Sequence, residues 1–135
     1  MRKEKEQLIV ATDDHKIIMS YIRNGLHRST FNLREAEKLE HNLKNAKLVE
    51  RNKLPNDVVS LNSTVLLKDE KADKMMELTL VTPENADIRQ RKISILSPIA
   101  AALLGFRKGT KVAWRLPAGL KVVSILDVRS SLQRA

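Results

Sequence analysis

Nine residues, Ser97-Pro98-Ile99-Ala100-Ala101-Ala102-Leu103-Leu104-Gly105, fix a helix of about two turns at both of its ends. The Ser97 hydroxyl can accept a bond from one of the first orphan N–H groups and so cap the helix. Pro98 falls at the first helical position, where its missing N–H costs nothing and its φ is already set. Three alanines and two leucines carry the helix on with favourable propensity. Gly105 ends it, because glycine takes the left-handed conformation after a helix without strain. Ile99 and Leu103 lie four apart, with Ala100 and Leu104 beside them, so the helix has one face to bury. Each large apolar side chain buried there contributes roughly 1.5–3 kcal/mol. A helix this short cannot fold alone and needs a sheet to lie on.

The flanks supply that sheet. Lys92-Ile93-Ser94-Ile95-Leu96 is rich in β-branched and apolar residues and predicts a strand. Val112, Trp114 and Leu116 alternate with Lys111, Ala113 and Arg115, which predicts another. Leu116-Pro117-Ala118-Gly119 has the residue preference of a type I turn. Leu120 to Val128 reads as a last strand, and Val122-Val123 with Ile125-Leu126 breaks strict alternation, which predicts a bulge. Upstream, Met76, Leu78 and Leu80 alternate with Glu77 and Thr79 up to Pro83. Val58 to Leu61 and Thr64 to Leu67 read as strand, kinked at Asn62-Ser63, with a polar turn from Asp69 to Asp73.

Before residue 54 the period is helical. Thr12 can cap a helix whose first turn holds Asp13 and Asp14, suited to the positive end of the dipole. Ile17, Ile18, Tyr21 and Ile22 recur at helical spacing until Asn24-Gly25. Asn32 with Glu35 resembles a capping box, and Ala36, Leu39, Leu43 and Ala46 form a heptad seam. The expectation is a short antiparallel helical hairpin over 1–54 and a second domain over 55–135. The fold class is α+β: the hairpin, then an antiparallel sheet of four or five strands with one short helix.

Composition narrows function more by exclusion than by indication. Cysteine is absent, which removes disulfides and thiolate metal sites and fits a reducing compartment. The longest apolar run, Pro98 to Phe106, is far short of the roughly 20 residues that span a bilayer. The charged N-terminus lacks the apolar stretch of a signal peptide, so a cytoplasmic protein with no membrane partner is expected. The formal net charge of +9 favours polyanions or acidic protein surfaces as partners. It is spread along the chain and forms no basic tail.

His15, His27 and His41 are too scattered for a ligand set, and no phosphate-cradling glycine loop or nucleophile elbow occurs. No catalytic residue, metal, cofactor or small-molecule substrate is expected. The chain reads as no enzyme.

Ser94-x-x-Ser97-Pro98-Ile99-Ala100, then Leu103-Leu104-Gly105 and Gly109, resembles the C-terminal signature of the bacterial Gre-type transcript-cleavage factors. It is equally similar to that of their shorter Rnk-type relatives, named as regulators of nucleoside diphosphate kinase. The likeness extends through Trp114-Arg115-Leu116-Pro117-Ala118-Gly119 and back to Leu54-Pro55-Asn56-Asp57-Val58-Val59. Thr110 stands where the family usually has an acidic residue. The resemblance implies a second domain similar to the FK506-binding proteins, RNA polymerase as partner, and docking at the rim of its secondary channel.

In the Gre family a long coiled-coil hairpin enters that channel, and acidic residues at its tip help hold the metal ion that hydrolyses backtracked RNA. The tip expected here, Arg23 to Asn32, contains Arg23, His27 and Arg28 and no Asp or Glu. Hard Mg²⁺ takes oxygen ligands and a cationic tip repels it. The resemblance therefore implies a polymerase-binding regulator without cleavage activity. Carried over by motif, the docking loop is Ser97, Pro98 and Ile99; Leu96 stands where some members carry a polar or acidic residue. The net charge leaves direct nucleic-acid binding, with weak contact through the basic surface, as a rival. A prolyl isomerase, suggested by the implied fold, needs clustered aromatics that one Trp, one Tyr and two Phe do not supply.

Overall fold

The computed structural model describes residues 8–23, 33–116 and 119–130. Strand β1 (Ile9–Ala11) leads directly into helix α1 (Thr12–Arg23). Helix α2 (Leu33–Asn45) is followed by strand β2 (Lys47–Val49). Then come β3 (Ser63–Asp69), β4 (Lys74–Val81), β5 (Lys92–Ser94), helix α3 (Pro98–Leu103), β6 (Lys111–Leu116) and β7 (Gly119–Ser130). The architecture is α+β. Thr12 is the first residue of its helix and not the cap in front of it. The 117–118 turn and the hairpin tip beyond Arg23, with His27 and Arg28, lie outside the described residues.

Five strands form one sheet in the order β5-β4-β3-β7-β6. Four of them are antiparallel, but β5 runs parallel to β4, with Thr79, Leu80 and Val81 opposite Lys92, Ile93 and Ser94. The sheet is therefore mixed and not wholly antiparallel. Residues 82–91 cause this: two 3-10 turns, Pro83–Asn85 and Ile88–Gln90, carry the chain back before it re-enters the sheet. Asp87 caps the second turn by accepting from the Arg89 N–H, and Arg91 leaves it in the left-handed region at φ 59°.

The predicted strand Val58–Leu61 is also absent. Val58 makes an isolated bridge to Arg107, and a turn with Asn62 at φ 72° separates it from β3. Ser63 locks that turn, its hydroxyl donating to the Ser60 carbonyl and accepting from the Ser60 N–H. Local hydrogen bonds of this kind give the backbone an alternative to a strand. The bulge in β7 is present: Leu66 pairs with Asp127 and Leu67 with Ile125, so Leu126 has no opposite number. The extra residue lets Val123, Ile125 and Val128 all be buried.

Two features follow from no local pattern. First, β1 and β2 pair in parallel at the root of the helices, Ile9 opposite Lys47 and Ala11 opposite Val49. Second, the arm and the sheet share one core. Val10, Ile18, Met19, Ile22, Leu39 and Leu43 belong to the same buried cluster as Val65, Leu67, Leu80, Leu103 and Ile125. The buried face of α1 is Asp14, Ile18, Met19 and Ile22, rotated from the predicted stripe, with Ile17 left 40% exposed.

Candidate functional site

The turn leading into α3 is built from two serines. The Ser94 carbonyl accepts from the Ser97 N–H at 2.9 Å and from the Ser97 hydroxyl at 2.7 Å. The Ser94 hydroxyl accepts from the Leu96 N–H at 3.0 Å. Ser97 Oγ in turn accepts from the Ala100 N–H at 3.4 Å, the capping bond that the sequence predicts. The Ser97 hydroxyl is thus committed on both sides within its own turn, and it positions the loop. Leu96 is buried, so its side chain points into the core. Ile99 is partly buried and packs against the core.

Replacing Ser97 by Ala removes both bonds. It is expected to lower the unfolding free energy by about 1 kcal/mol, read by denaturant titration, with the fold intact. An unchanged midpoint would show that Pro98 and Gly105 alone define the helix.

The far end of α3 meets the root of the arm. Gly105, at φ 90°, donates its N–H to the Val59 carbonyl at 2.9 Å and accepts from the Ile9 N–H at 3.2 Å. Val59 returns a bond to the Phe106 carbonyl at 2.8 Å. A Cβ on Gly105 would lie 2.9 Å from Leu8 Cβ, so glycine is needed here for space as well as for conformation. Strand β1 is docked on the end of this helix.

A charged clasp holds α1 to the junction. Asp14 is only 2% exposed; it pairs with Arg51, and its other oxygen accepts from the Leu61 N–H at 3.0 Å. Arg51 also reaches Asp13, at 3.0 and 3.3 Å. Burial pushes the Asp14 carboxyl above its ordinary range, against the opposing pull of the Leu61 N–H and the Arg51 charge. Farther along α1, the Tyr21 hydroxyl donates to Glu84 on the crossover loop. That bond pushes the Tyr21 phenol up and is the main cause holding the Glu84 carboxyl below its ordinary range.

Arg23, the sequence-predicted tip residue within the described structure, is exposed at the end of α1. It lies on the arm, remote in the chain from the Ser94–Ile99 turn. Sequence reasoning missed the clasp because Asp14 and Arg51 are 37 positions apart and carry no shared local signal. Among the described residues no group of three His, Cys, Asp or Glu side chains could hold a metal ion. Among the described residues no helix is long and apolar enough to cross a membrane.

Comparison with known proteins falls on this same turn and sheet. The family model for transcription elongation factor GreA/GreB, C-terminal region, matches residues 54–130. The chain belongs to the GreA/GreB family. It is 36% identical over 91 residues to the transcription elongation factor GreA of Clostridium acetobutylicum and 41% identical over 91 residues to that of Thermoanaerobacter pseudethanolicus. In both cases 67% of this chain aligns with 58% of the relative, so the chain spans little more than half of these proteins. A solved GreA/GreB structure from Nitrosomonas europaea superposes with a TM-score of 0.74 at 31% identity. That match covers 93% of this chain and 99% of the solved one. It includes the arm as well as the Gre-type domain.

Proposed function

We propose that this protein is a cytoplasmic RNA polymerase-associated transcription regulator that docks through its Gre-type domain at the secondary channel. The observation that carries the reading is the family match over 54–130, joined to a solved GreA/GreB neighbour that accounts for nearly the whole chain. The turn at Ser97, Pro98 and Ile99 contributes to docking, with the serines holding its shape. The regulator does not cleave transcripts and is no enzyme, because residues 23–32 offer Arg23, His27 and Arg28 and no carboxylate to a metal ion.

Co-purification with tagged bacterial core RNA polymerase tests the reading, with retention of the protein expected. Failure to bind would overturn it. Adding the protein to a stalled elongation complex is expected to leave transcript cleavage unstimulated. Ser97→Asp combined with Pro98→Ala is expected to weaken retention while the fold survives, since Asp keeps the cap to the Ala100 N–H although it cannot donate to the Ser94 carbonyl. Unchanged retention of that variant would clear the turn of a docking role.

A further inference from the structure

The sheet gathers basic residues at the end formed by the β3–β4 turn and the strands beside it. Lys68 on β3 lies opposite Ser124 on β7, and Ser124 lies opposite Lys111 on β6. Residues directly opposite share a face, so Lys68 and Lys111 flank Ser124 on one side, about 10 Å apart across two strand spacings. On the other side Lys74 lies opposite Asp69, which also pairs with Lys121 at 2.5 Å. Lys71 sits on the connecting turn.

Of the three acids of this region, Asp69 and Asp73 are paired with lysines, and Glu70 hydrogen-bonds the Ser124 hydroxyl and keeps its charge. Asp69, 4% exposed, accepts from the Lys71 and Ala72 N–H groups at 3.0 and 3.1 Å. The Lys121 hydrogen bond, first, and these two N–H groups hold its carboxyl below the ordinary range. Asp73 pairs with Lys68 at 3.2 Å, and Glu70 accepts from the Ser124 hydroxyl. Lys71, Lys74 and Lys111 are exposed, with no acidic partner among the described residues.

We infer that this end of the sheet binds the phosphate backbone of duplex nucleic acid without reading sequence, a contact separate from polymerase docking. Lysine is a compact, flexible point charge suited to phosphate, whereas it is depleted from protein–protein interfaces. The scarcity of aromatics disfavours stacked single-stranded bases and leaves backbone contact as the chemistry. Met75, opposite Lys68 and 65% exposed, is the large apolar side chain of the row. A protein partner would use it; a phosphate backbone would not.

Fluorescence anisotropy of the full chain with labelled 20-base-pair DNA and RNA duplexes, at about 50 to 200 mM salt, tests this. Binding at the lower salt to both duplexes is expected, falling steeply with salt by counterion release. The triple variant Lys71→Gln, Lys74→Gln, Lys111→Gln is expected to bind roughly tenfold or more weakly. Its slope of log affinity against log salt should be shallower by about 2 to 3, near one unit per lysine. The charge-matched control Lys16→Gln, Lys47→Gln, Lys53→Gln, in exposed positions on the arm and its root, should bind as the parent does.

Two results would overturn the inference: no duplex binding at about 50 mM salt, or equal loss in the control. Retention on core polymerase is read in the same variants and is expected unchanged. If the triple variant loses polymerase while keeping DNA, the lysines belong to the protein interface and the inference fails. The docking reading then stands.

Discussion

Asp14→Ala is expected to lower the unfolding free energy by about 3 kcal/mol and the melting temperature by about 10 °C. The Asp14 side chain is 2% exposed and joins three separate segments: α1, the Arg51 junction and the Leu61 backbone ahead of β3. Alanine leaves the Leu61 N–H buried and unsatisfied, a cost of about 1–3 kcal/mol by itself. It also removes one of the two carboxylates around a partly buried guanidinium.

The sign of the Asp14 pKa sharpens the expectation. A carboxyl whose folded pKa is raised favours its neutral form when folded, so its ionisation costs stability above that value and the cost disappears as pH falls through it. Asp14→Asn, a neutral isostere that still offers an oxygen to Leu61, is therefore expected to recover most of the loss. Its remaining deficit against the parent should widen from pH 7 to pH 4, because the parent gains stability as Asp14 takes up its proton and an asparagine cannot. Thermal unfolding of both variants at pH 7 and pH 4 decides the point; equal losses for Ala and Asn would place the whole effect in the ion pair.

Gly105→Ala is expected to be nearly as damaging, by about 3 kcal/mol. A left-handed residue with a Cβ costs roughly 1–2 kcal/mol. The remainder comes from the 2.9 Å approach to Leu8 Cβ, an atom fixed to the backbone that cannot swing away as a long side chain would. Relief requires β1 to move off the end of α3, breaking the Ile9–Gly105 bond at 3.2 Å. Hydrogen exchange should therefore speed up at Ile9 and Lys47 before it does in the β3–β7 centre. Uniform loss of protection would show that β1 is not a separately docked strand.

Much of the Gre-type domain is legible in the sequence because its signals are local and agree. The Ser97 cap, Pro98 at the first turn and Gly105 past the end all act within a few residues, and α3 is found where they place it. The β7 bulge is legible for the same reason, since two adjacent apolar pairs cannot both follow a two-residue period. Legibility fails where partners are distant. The pattern of Lys92–Leu96 marks a strand but carries no information on direction, and the parallel pairing of β5 is decided by the loop that returns the chain. Val58–Leu61 has strand-like side chains, but the serine-locked turn at Asn62 claims its backbone.

The Ser94–Ile99 turn divides in the same way. Ser97 is visible as a cap, whereas its second bond, to the Ser94 carbonyl, emerges only from the folded loop. Leu96 looks like a departure at a contact position, yet its side chain is inside.

Sequence by itself determined a capped two-turn helix between strands, an arm of two helices, and residues 23–32 of that arm without an acidic side chain. Tertiary structure alone decided that arm and sheet share a core, that β1 and β2 close the root of the arm, and that Asp14 faces inward. The physical reason is range. Capping, turn and periodicity signals act over a few residues, whereas a buried carboxylate finds its guanidinium 37 positions away only once the chain has folded back on itself.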